Sequence, residues 1–520
     1  MGGYSRRDFL SMAAGGATVA LFGGYNGLLH TMAAEAVSVK KDTKKRNVLF
    51  IAIDDLRPQL GCYGHKQMIT PNIDKLAKEG MVFERAYCQW PVCGPSRASL
   101  LSGLRPETLG IQHSSQSVTK TIPGSFSLPG MFHKHGYYTG SFGKIYHGKG
   151  DDWKSWSEAP WRDPLSSWQG YVSEETEKLR QKLWEERGKK DLFSSVNGRP
   201  VEITDLPDDQ FRDGRTARKA IEVMRRVKDK PFFLAVGFVK PHLPFACPKK
   251  YWDYYKDSDI EMPKNPSRVK GSPDMVYVWS ELREYYGVPQ DGLPSEKLAR
   301  RLIHGYYSCV SFIDAQVGLL LNELDKLGLR DNTVIVLWGD QGFHLGDQAI
   351  WGKHTLYEKA VRVPLIFSVP GQKTAGQRTD ALVELVDIYP TLVELCGLEV
   401  PKYLEGTSVV PLLENPNQLW KRAAFTQWQY WEEPYDTIMG YTVRTDRYRY
   451  IEWQDCGNNN KVVAAELYDY SRDPEETINV ADKAEYAEKV KELSEMIKLG
   501  WKVVLPKKLN SPVMQLSQKV

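Results

Sequence analysis

Asn47-Val48-Leu49-Phe50-Ile51-Ala52-Ile53 runs directly into Asp54-Asp55. From Val48 the run is apolar and β-branched, with no polar alternation, as expected of a strand buried on both faces of a parallel sheet. It stops abruptly on two acids. The same pattern recurs three times. Residues 137–142 lead into Gly143-Lys144 and then His147, residues 231–239 into Lys240-Pro241-His242, and residues 333–338 into Gly339-Asp340-Gln341. Amphipathic helical patterns over 70–80, 214–227 and 298–327 separate the runs. Alternating strand and helix predicts a doubly wound α/β sheet, in which ligands bind beyond the carboxyl ends of the strands. The four polar clusters should therefore converge.

Past about residue 412 the pattern changes. Thr442-Val443-Arg444-Thr445-Asp446-Arg447-Tyr448-Arg449-Tyr450-Ile451-Glu452-Trp453 alternates with period two, Glu466-Leu467-Tyr468-Asp469-Tyr470 follows, and a helical pattern covers 486–499. This predicts a small antiparallel sheet with a helix on one face. The chain's 520 residues exceed what one hydrophobic core usually supports, consistent with a large domain over 37–430 and a subdomain over 431–520. At 42% apolar and 26% charged residues the chain is neither disordered nor fibrous. The 69 basic and 65 acidic residues leave a net charge of +4, too balanced for nucleic acid to be the main partner. Seven cysteines are too few for a disulfide scaffold, although one or two pairs could bridge after export.

Ser5-Arg6-Arg7-Asp8-Phe9-Leu10 precedes a Gly/Ala-rich, weakly apolar stretch over 12–29, and Ala34-Glu35-Ala36 has small residues at the cleavage spacing. Residues 1–36 thus resemble a twin-arginine export signal, which places the mature protein in the periplasm or outside the cell. The stretch is too short and glycine-rich for a good membrane anchor, and the mature chain has no apolar run of spanning length. No stable membrane insertion is expected after signal removal.

The most informative segment is Val92-Cys93-Gly94-Pro95-Ser96-Arg97-Ala98-Ser99-Leu100-Leu101-Ser102-Gly103. Cys-x-Pro-Ser-Arg followed by a helix of small and apolar residues resembles the signature of the type I sulfatases. Further segments fit that family in order: Pro71-Asn72-Ile73-Asp74, Gly143-Lys144-Ile145-Tyr146-His147, Lys240-Pro241-His242, Gly352-Lys353-His354, and the stretch from Glu466 to Thr477. Within the family, Asp54-Asp55-Leu56-Arg57-Pro58-Gln59-Leu60-Gly61-Cys62-Tyr63-Gly64 and the spacing of Lys144 and His147 are most similar to the iduronate-2-sulfatases.

The resemblance implies an alkaline-phosphatase-like doubly wound sheet and hydrolysis of sulfate esters on a sulfated saccharide, 2-O-sulfated uronic acid residues being favoured. It implies that Cys93 is oxidised to formylglycine (3-oxoalanine) by a formylglycine-generating or sulfatase-maturating enzyme. The aldehyde hydrate attacks sulfur, and its second hydroxyl expels the sulfate. It implies one Ca²⁺ held by hard oxygens of Asp54, Asp55 and Asp340, beside residue 93 and with the amide of Gln341, where relatives more often carry His or Asn. Arg97 would hold the hydrate, and Lys144 and Lys353 the sulfate oxygens. His242 would protonate the leaving alcohol and His147 act as base in the elimination, although the two histidines could exchange roles. Lys240 or His354 would meet a uronate carboxylate, and Gln427, Trp428 and Tyr430 would lie at the rim that selects the sugar. Trp153, Trp156, Trp161 and Trp168 either stack on sugar or pack on one another. His65, His113, His304 and His344 lack motif support. The readings held against a sulfatase are a phosphonate or phosphate monoester hydrolase of the same superfold and a glycan-binding protein with a dead site.

Overall fold

The computed structural model describes residues 45–110, 126–148, 152–165, 169–190, 192–278, 280–430 and 433–506. The export-signal segment, His113 and Trp168 lie outside these residues. In chain order the strands are β1 (Asn47–Ile53), β2 (Met81–Tyr87), β3 (Tyr138–Gly143), β4 (Val201–Thr204), β5 (Phe232–Phe238), β6 (Phe245–Pro248), β7 (Thr333–Gly339), β8 (His344–Leu345), β9 (Trp351–Gly352), β10 (Arg362–Val363), β11 (Leu365–Ser368), β12 (Arg378–Glu384), β13 (Ala424–Gln429), β14 (Ile438–Arg444), β15 (Tyr448–Asp455) and β16 (Lys461–Asp469).

The main sheet runs β10-β2-β11-β7-β1-β5-β3, with β12 added parallel to β2. The four strands expected from the apolar runs are neighbours in the order β7-β1-β5-β3, and all are parallel. Each residue of β1 is buried, and its side chains alternate between two cores. Val48, Phe50 and Ala52 join one and Leu49, Ile51 and Ile53 the other. Helices cover both faces, which is why the run needed no polar positions. The sheet is mixed rather than wholly parallel, because β11 lies antiparallel to both β7 and β2.

The second sheet, β13-β14-β15-β16, is antiparallel throughout. It begins at Ala424, ahead of the boundary expected at 430. The alternating run over 442–453 is not one strand. A tight turn, closed by the Thr445 amide donating to the Tyr448 carbonyl, splits it into β14 and β15. The helix Ala487–Leu499 buries Leu493 against Val443, Tyr450 and Leu467 on one face. Ile451, Trp453 and Tyr468 face the main core.

Charged residues lock the second sheet in place. The half-buried Glu358 carboxylate accepts from the guanidinium of Arg449, and Arg449 Nε also pairs with Glu476 at 2.7 Å. Glu466 accepts from Tyr357 and Tyr468 hydroxyls and from Trp453 Nε1. The stretch from Glu466 to Thr477 is thus chiefly a fastening between the sheets. Among the described residues no helix is long and apolar enough to cross a membrane.

Candidate active site

Because β7, β1, β5 and β3 are parallel neighbours, their carboxyl ends share one edge. Asp54 and Asp55 follow β1, Lys144 and His147 follow β3, His242 follows β5, and Asp340 and Gln341 follow β7. The helix Cys93–Ser102 begins at Cys93 itself, after Val92 in extended conformation. Two facing glycines allow the β3 and β5 ends to close up. A Cβ on Gly143 would stand 2.2 Å from the Gly237 carbonyl oxygen, and one on Gly237 1.9 Å from that of Lys144.

Asp54, Asp55 and Asp340 are fully buried, and each offers an oxygen within 4.8 Å of the others. Asp55 has φ 57°, a left-handed backbone that β-carbon-bearing residues seldom adopt. Tyr306 fixes it, its hydroxyl donating to the Asp55 carbonyl at 2.7 Å while accepting the Arg57 amide at 3.0 Å. Asp340 Oδ1 accepts the backbone amides of Asp55 and Gln341, at 3.1 and 3.0 Å.

Burial alone would raise all three carboxyls. Lys144, followed by His242, Arg97 and Lys353, instead holds Asp54 well below the ordinary carboxylate range. Asp55 stays raised by burial against the pull of Lys353. Asp340 is pushed up to about 7 by burial, with Arg97 opposing and Asp54 adding to the rise. Each acid has a cation beside it, Lys144 at Asp54, Lys353 at Asp55 and Arg97 at Asp340, yet two acceptor atoms are left over. Asp54 Oδ1 and Gln341 Oε1 are buried and accept no hydrogen bond, while Gln341 Nε2 donates to Asp55 Oδ1. Hard carboxylate oxygens and an amide oxygen of this kind fit Ca²⁺ rather than zinc.

Cys93 Sγ lies within 4.8 Å of ligand atoms of Asp54 and His242 and accepts from Gln341 Nε2 at 3.4 Å. Burial, reinforced by Asp54, pushes its thiol up to about 12, so an unmodified Cys93 would be a thiol and a poor nucleophile. One helical turn on, the buried Arg97 spans the site. Its Nε donates to Asp340 Oδ2 at 2.6 Å, its Nη1 to the Lys144 and Ile145 carbonyls, and its Nη2 lies 3.8 Å from Asp54.

Two lysines flank the acids. Lys144 Nζ pairs with Asp54 Oδ2, and Lys353 Nζ lies 2.9 Å from both oxygens of Asp55. His242 is 7% exposed, with its Nδ1 2.6 Å from the Leu243 carbonyl. Its Nε2 is 3.3 Å from Glu281 and 4.0 Å from Asp55. Burial, then Lys353, lowers its ring to about 4. His147 is half-buried and lowered to about 3 by burial and Lys144. All ten residues singled out from the sequence for catalysis or metal binding are brought to this one place.

Other expectations are corrected. Lys240 does not face a substrate. Its buried ammonium donates to the Gln169, His242 and Pro244 carbonyls, at 3.2, 3.0 and 2.6 Å. His354 is no cation, because burial and neighbouring Lys353 hold it well below its usual range. Gln427, Trp428 and Tyr430 are buried rather than at a rim, and Trp428 and Tyr430 pack against Trp453. Trp156 is buried and Trp161 half-buried, so only Trp153 of the described set is well exposed. No cysteine in the described residues is bridged. His304 stacks on Trp252 and pairs with Asp257, His344 bonds Thr355, and His65 meets Gln59.

Sequence reasoning missed Glu281 and Tyr306. Glu281 is buried, 3.3 Å from both His242 Nε2 and Lys353 Nζ. It sits in a short 3-10 turn with no strand-end signal to mark it, and Tyr306 in the long helix Glu296–Lys326 looks like any core aromatic.

Comparison with known proteins bears on the same residues. The family model described as Sulfatase matches residues 46–398. The chain belongs to the sulfatase family. A second model, described as N-sulphoglucosamine sulphohydrolase, C-terminal, matches residues 346–500 of this sulfatase. Iduronate 2-sulfatase of Mus musculus is 33% identical, over 85% of this chain and 92% of its own. A protein named Sulfatase from Formosa agariphila is 31% identical, over 89% and 88%. The phosphonate monoester hydrolase of Agrobacterium radiobacter shares the fold at a TM-score of 0.70, with 23% identity, 88% of this chain and 95% of the other covered. A 2-O GAG sulfatase does so at 0.65, with 23% identity and 88% and 91% covered. The alkaline-phosphatase-like architecture and sulfuric ester hydrolase activity follow from these matches together with the site.

Proposed function

We propose that this sulfatase is exported and removes sulfate esters from a glycan, with 2-O-sulfated uronic acid residues as the target and formylglycine made from Cys93 as nucleophile. The observation that carries the reading is the convergence on residue 93 of the three buried acids, two lysines, two histidines and Arg97. The named relatives that support the sugar are the iduronate 2-sulfatases.

The formylglycine hydrate would supply two hydroxyls on one carbon, one to attack sulfur and one to release the product. Ca²⁺, held by Asp54, Asp55, Asp340 and Gln341, would supply positive charge to the nucleophile and a sulfate oxygen. Every other task falls to side chains already in place. Arg97, one helical turn from residue 93 and bonded to Asp340, is placed to hold the hydrate with a charge that cannot be lost. Lys144 and Lys353 are placed to exchange their carboxylate partners for sulfate oxygens, where negative charge must be balanced in the transition state. His242 directs Nε2 into the site, Nδ1 being engaged by the Leu243 carbonyl, and delivers a proton to the leaving oxygen. His147, on the Lys144 side, accepts the proton that release of sulfate requires.

The test is sulfate release from a 2-O-sulfated uronosyl disaccharide, 6-O-sulfated galactose, 6-O-sulfated glucosamine and 4-nitrophenyl sulfate, beside 4-nitrophenol release from the phosphonate monoester 4-nitrophenyl phenylphosphonate. The uronosyl 2-sulfate should be cleaved with the highest kcat/KM. Turnover of the neutral sugars alone would overturn the uronate assignment. Preference for the phosphonate would overturn the glycan reading altogether.

A further inference from the structure

We propose that the groove beside the turn Glu281–Glu284 is a subsite for a second anionic sugar of the substrate chain, gripped by Arg187 and Arg283. This rests on the glycan reading above and deepens it. The groove holds about 700 Å³, in the range of about 300–1,000 Å³ usual for small-molecule sites. Leu183 and Arg187, at the end of the helix Glu174–Glu186, and Asn197 form one wall, and Arg283, Tyr285 and Tyr286 the other.

Its position follows from Glu281. That residue touches His242 and Lys353 and opens the same turn, which advances about 2 Å per residue, so Arg283 begins about 4 Å further along. A sugar next to the one being desulfated would reach it.

Its chemistry suits an oxyanion. Arg187 is exposed, and Arg283 is half-buried with one bond, from Nη2 to the Gly292 carbonyl at 3.3 Å. A third guanidinium, of Arg199, lies over the Tyr286 ring at 5.5 Å, and Tyr286 is 43% exposed. Glu284 is the acid of the groove, and it accepts from Asn197 Nδ2 at 3.4 Å. Asn197 itself is 4% exposed, and its Oδ1 accepts no hydrogen bond. A buried amide oxygen without a donor is costly, and a sugar hydroxyl would satisfy it. With Lys240 committed to carbonyls and His354 lowered by burial, these arginines offer charge for the carboxylate or sulfate oxygens of a neighbouring unit.

The experiment compares the shortest fragment of heparin, chondroitin sulfate or carrageenan that the enzyme desulfates with the same fragment extended by one anionic sugar. Wild-type KM should be lower for the longer fragment. In Arg283→Gln and in Arg187→Ala, the ratio of kcat/KM for longer over shorter fragment should fall about tenfold, as expected on losing a charge-assisted bond. Asn197→Ala should lower it less. Unchanged ratios in both arginine variants, with melting temperatures unaltered, would overturn the subsite alone. Cleavage of 4-nitrophenyl sulfate with no fragment desulfated would overturn the glycan reading and the subsite with it.

Discussion

Glu281 stands where no motif announced a functional side chain. With His242 Nδ1 engaged by the Leu243 carbonyl, Nε2 faces the Glu281 carboxylate at 3.3 Å, so Glu281 is placed to orient the ring that passes a proton to the leaving alcohol. Glu281→Gln should therefore reduce kcat about tenfold on a sugar sulfate and much less on 4-nitrophenyl sulfate, whose leaving group departs without protonation. Equal losses on both substrates would show that Glu281 only supports the fold. The remaining catalytic candidates were legible because each closes an apolar run or sits in a short pattern of fixed spacing. Glu281 lies between β6 and the long helix, in a segment without periodicity. The role imagined for Lys240 failed because a sequence shows a cation but not which carbonyls have already claimed it, and that for His354 because a sequence does not show burial beside Lys353.

At the scale of elements, Tyr306 joins the helix Glu296–Lys326 to the end of β1. Tyr306→Phe would leave the buried Arg57 amide without its acceptor and the Asp55 carbonyl without its donor, a cost of about 1–3 kcal/mol. Because Asp55 is held in a left-handed conformation, the loss should also appear as weaker Ca²⁺ binding by calorimetry. A stability loss with unchanged Ca²⁺ affinity would contradict the positioning role. The parallel strands were readable because burial on both faces removes polar positions. The direction of β11 was not, since Leu365-Ile366-Phe367 is as apolar as the parallel runs. The β14–β15 turn was hidden because its two residues, Asp446 and Arg447, shift the phase of alternation by a single position.

At the scale of the molecule, fastening between the sheets and charge at the strand ends both answer to pH and metal. Burial raises Glu358, but Arg444 and Arg449 overcome it and hold the carboxyl at about 2. A group depressed on folding stabilises the protein above its unfolded value, near 4.5, and that contribution disappears as pH falls toward 2. The difference in melting temperature between wild type and Glu358→Gln should thus be full at neutral pH and shrink between about pH 4.5 and 2. A constant difference over that window would contradict the pairing. Chelation should lower the melting temperature of the native enzyme, since an ion that binds only the folded chain stabilises it. Ca²⁺ at one hundred times its Kd should restore about 2.7 kcal/mol. Restoration by Zn²⁺ but not Ca²⁺ would contradict the oxygen-donor site.

Everything converges on residue 93, so its chemical state is the most direct test. Trypsin should release residues 86–97 as one peptide, bounded by Arg85 and Arg97. In enzyme sorted by specific activity, the fraction of that peptide carrying an aldehyde in place of the Cys93 thiol should rise in proportion to sulfate ester turnover, and Cys93→Ala should have neither. Full activity in protein whose peptide carries only unmodified cysteine would contradict the account.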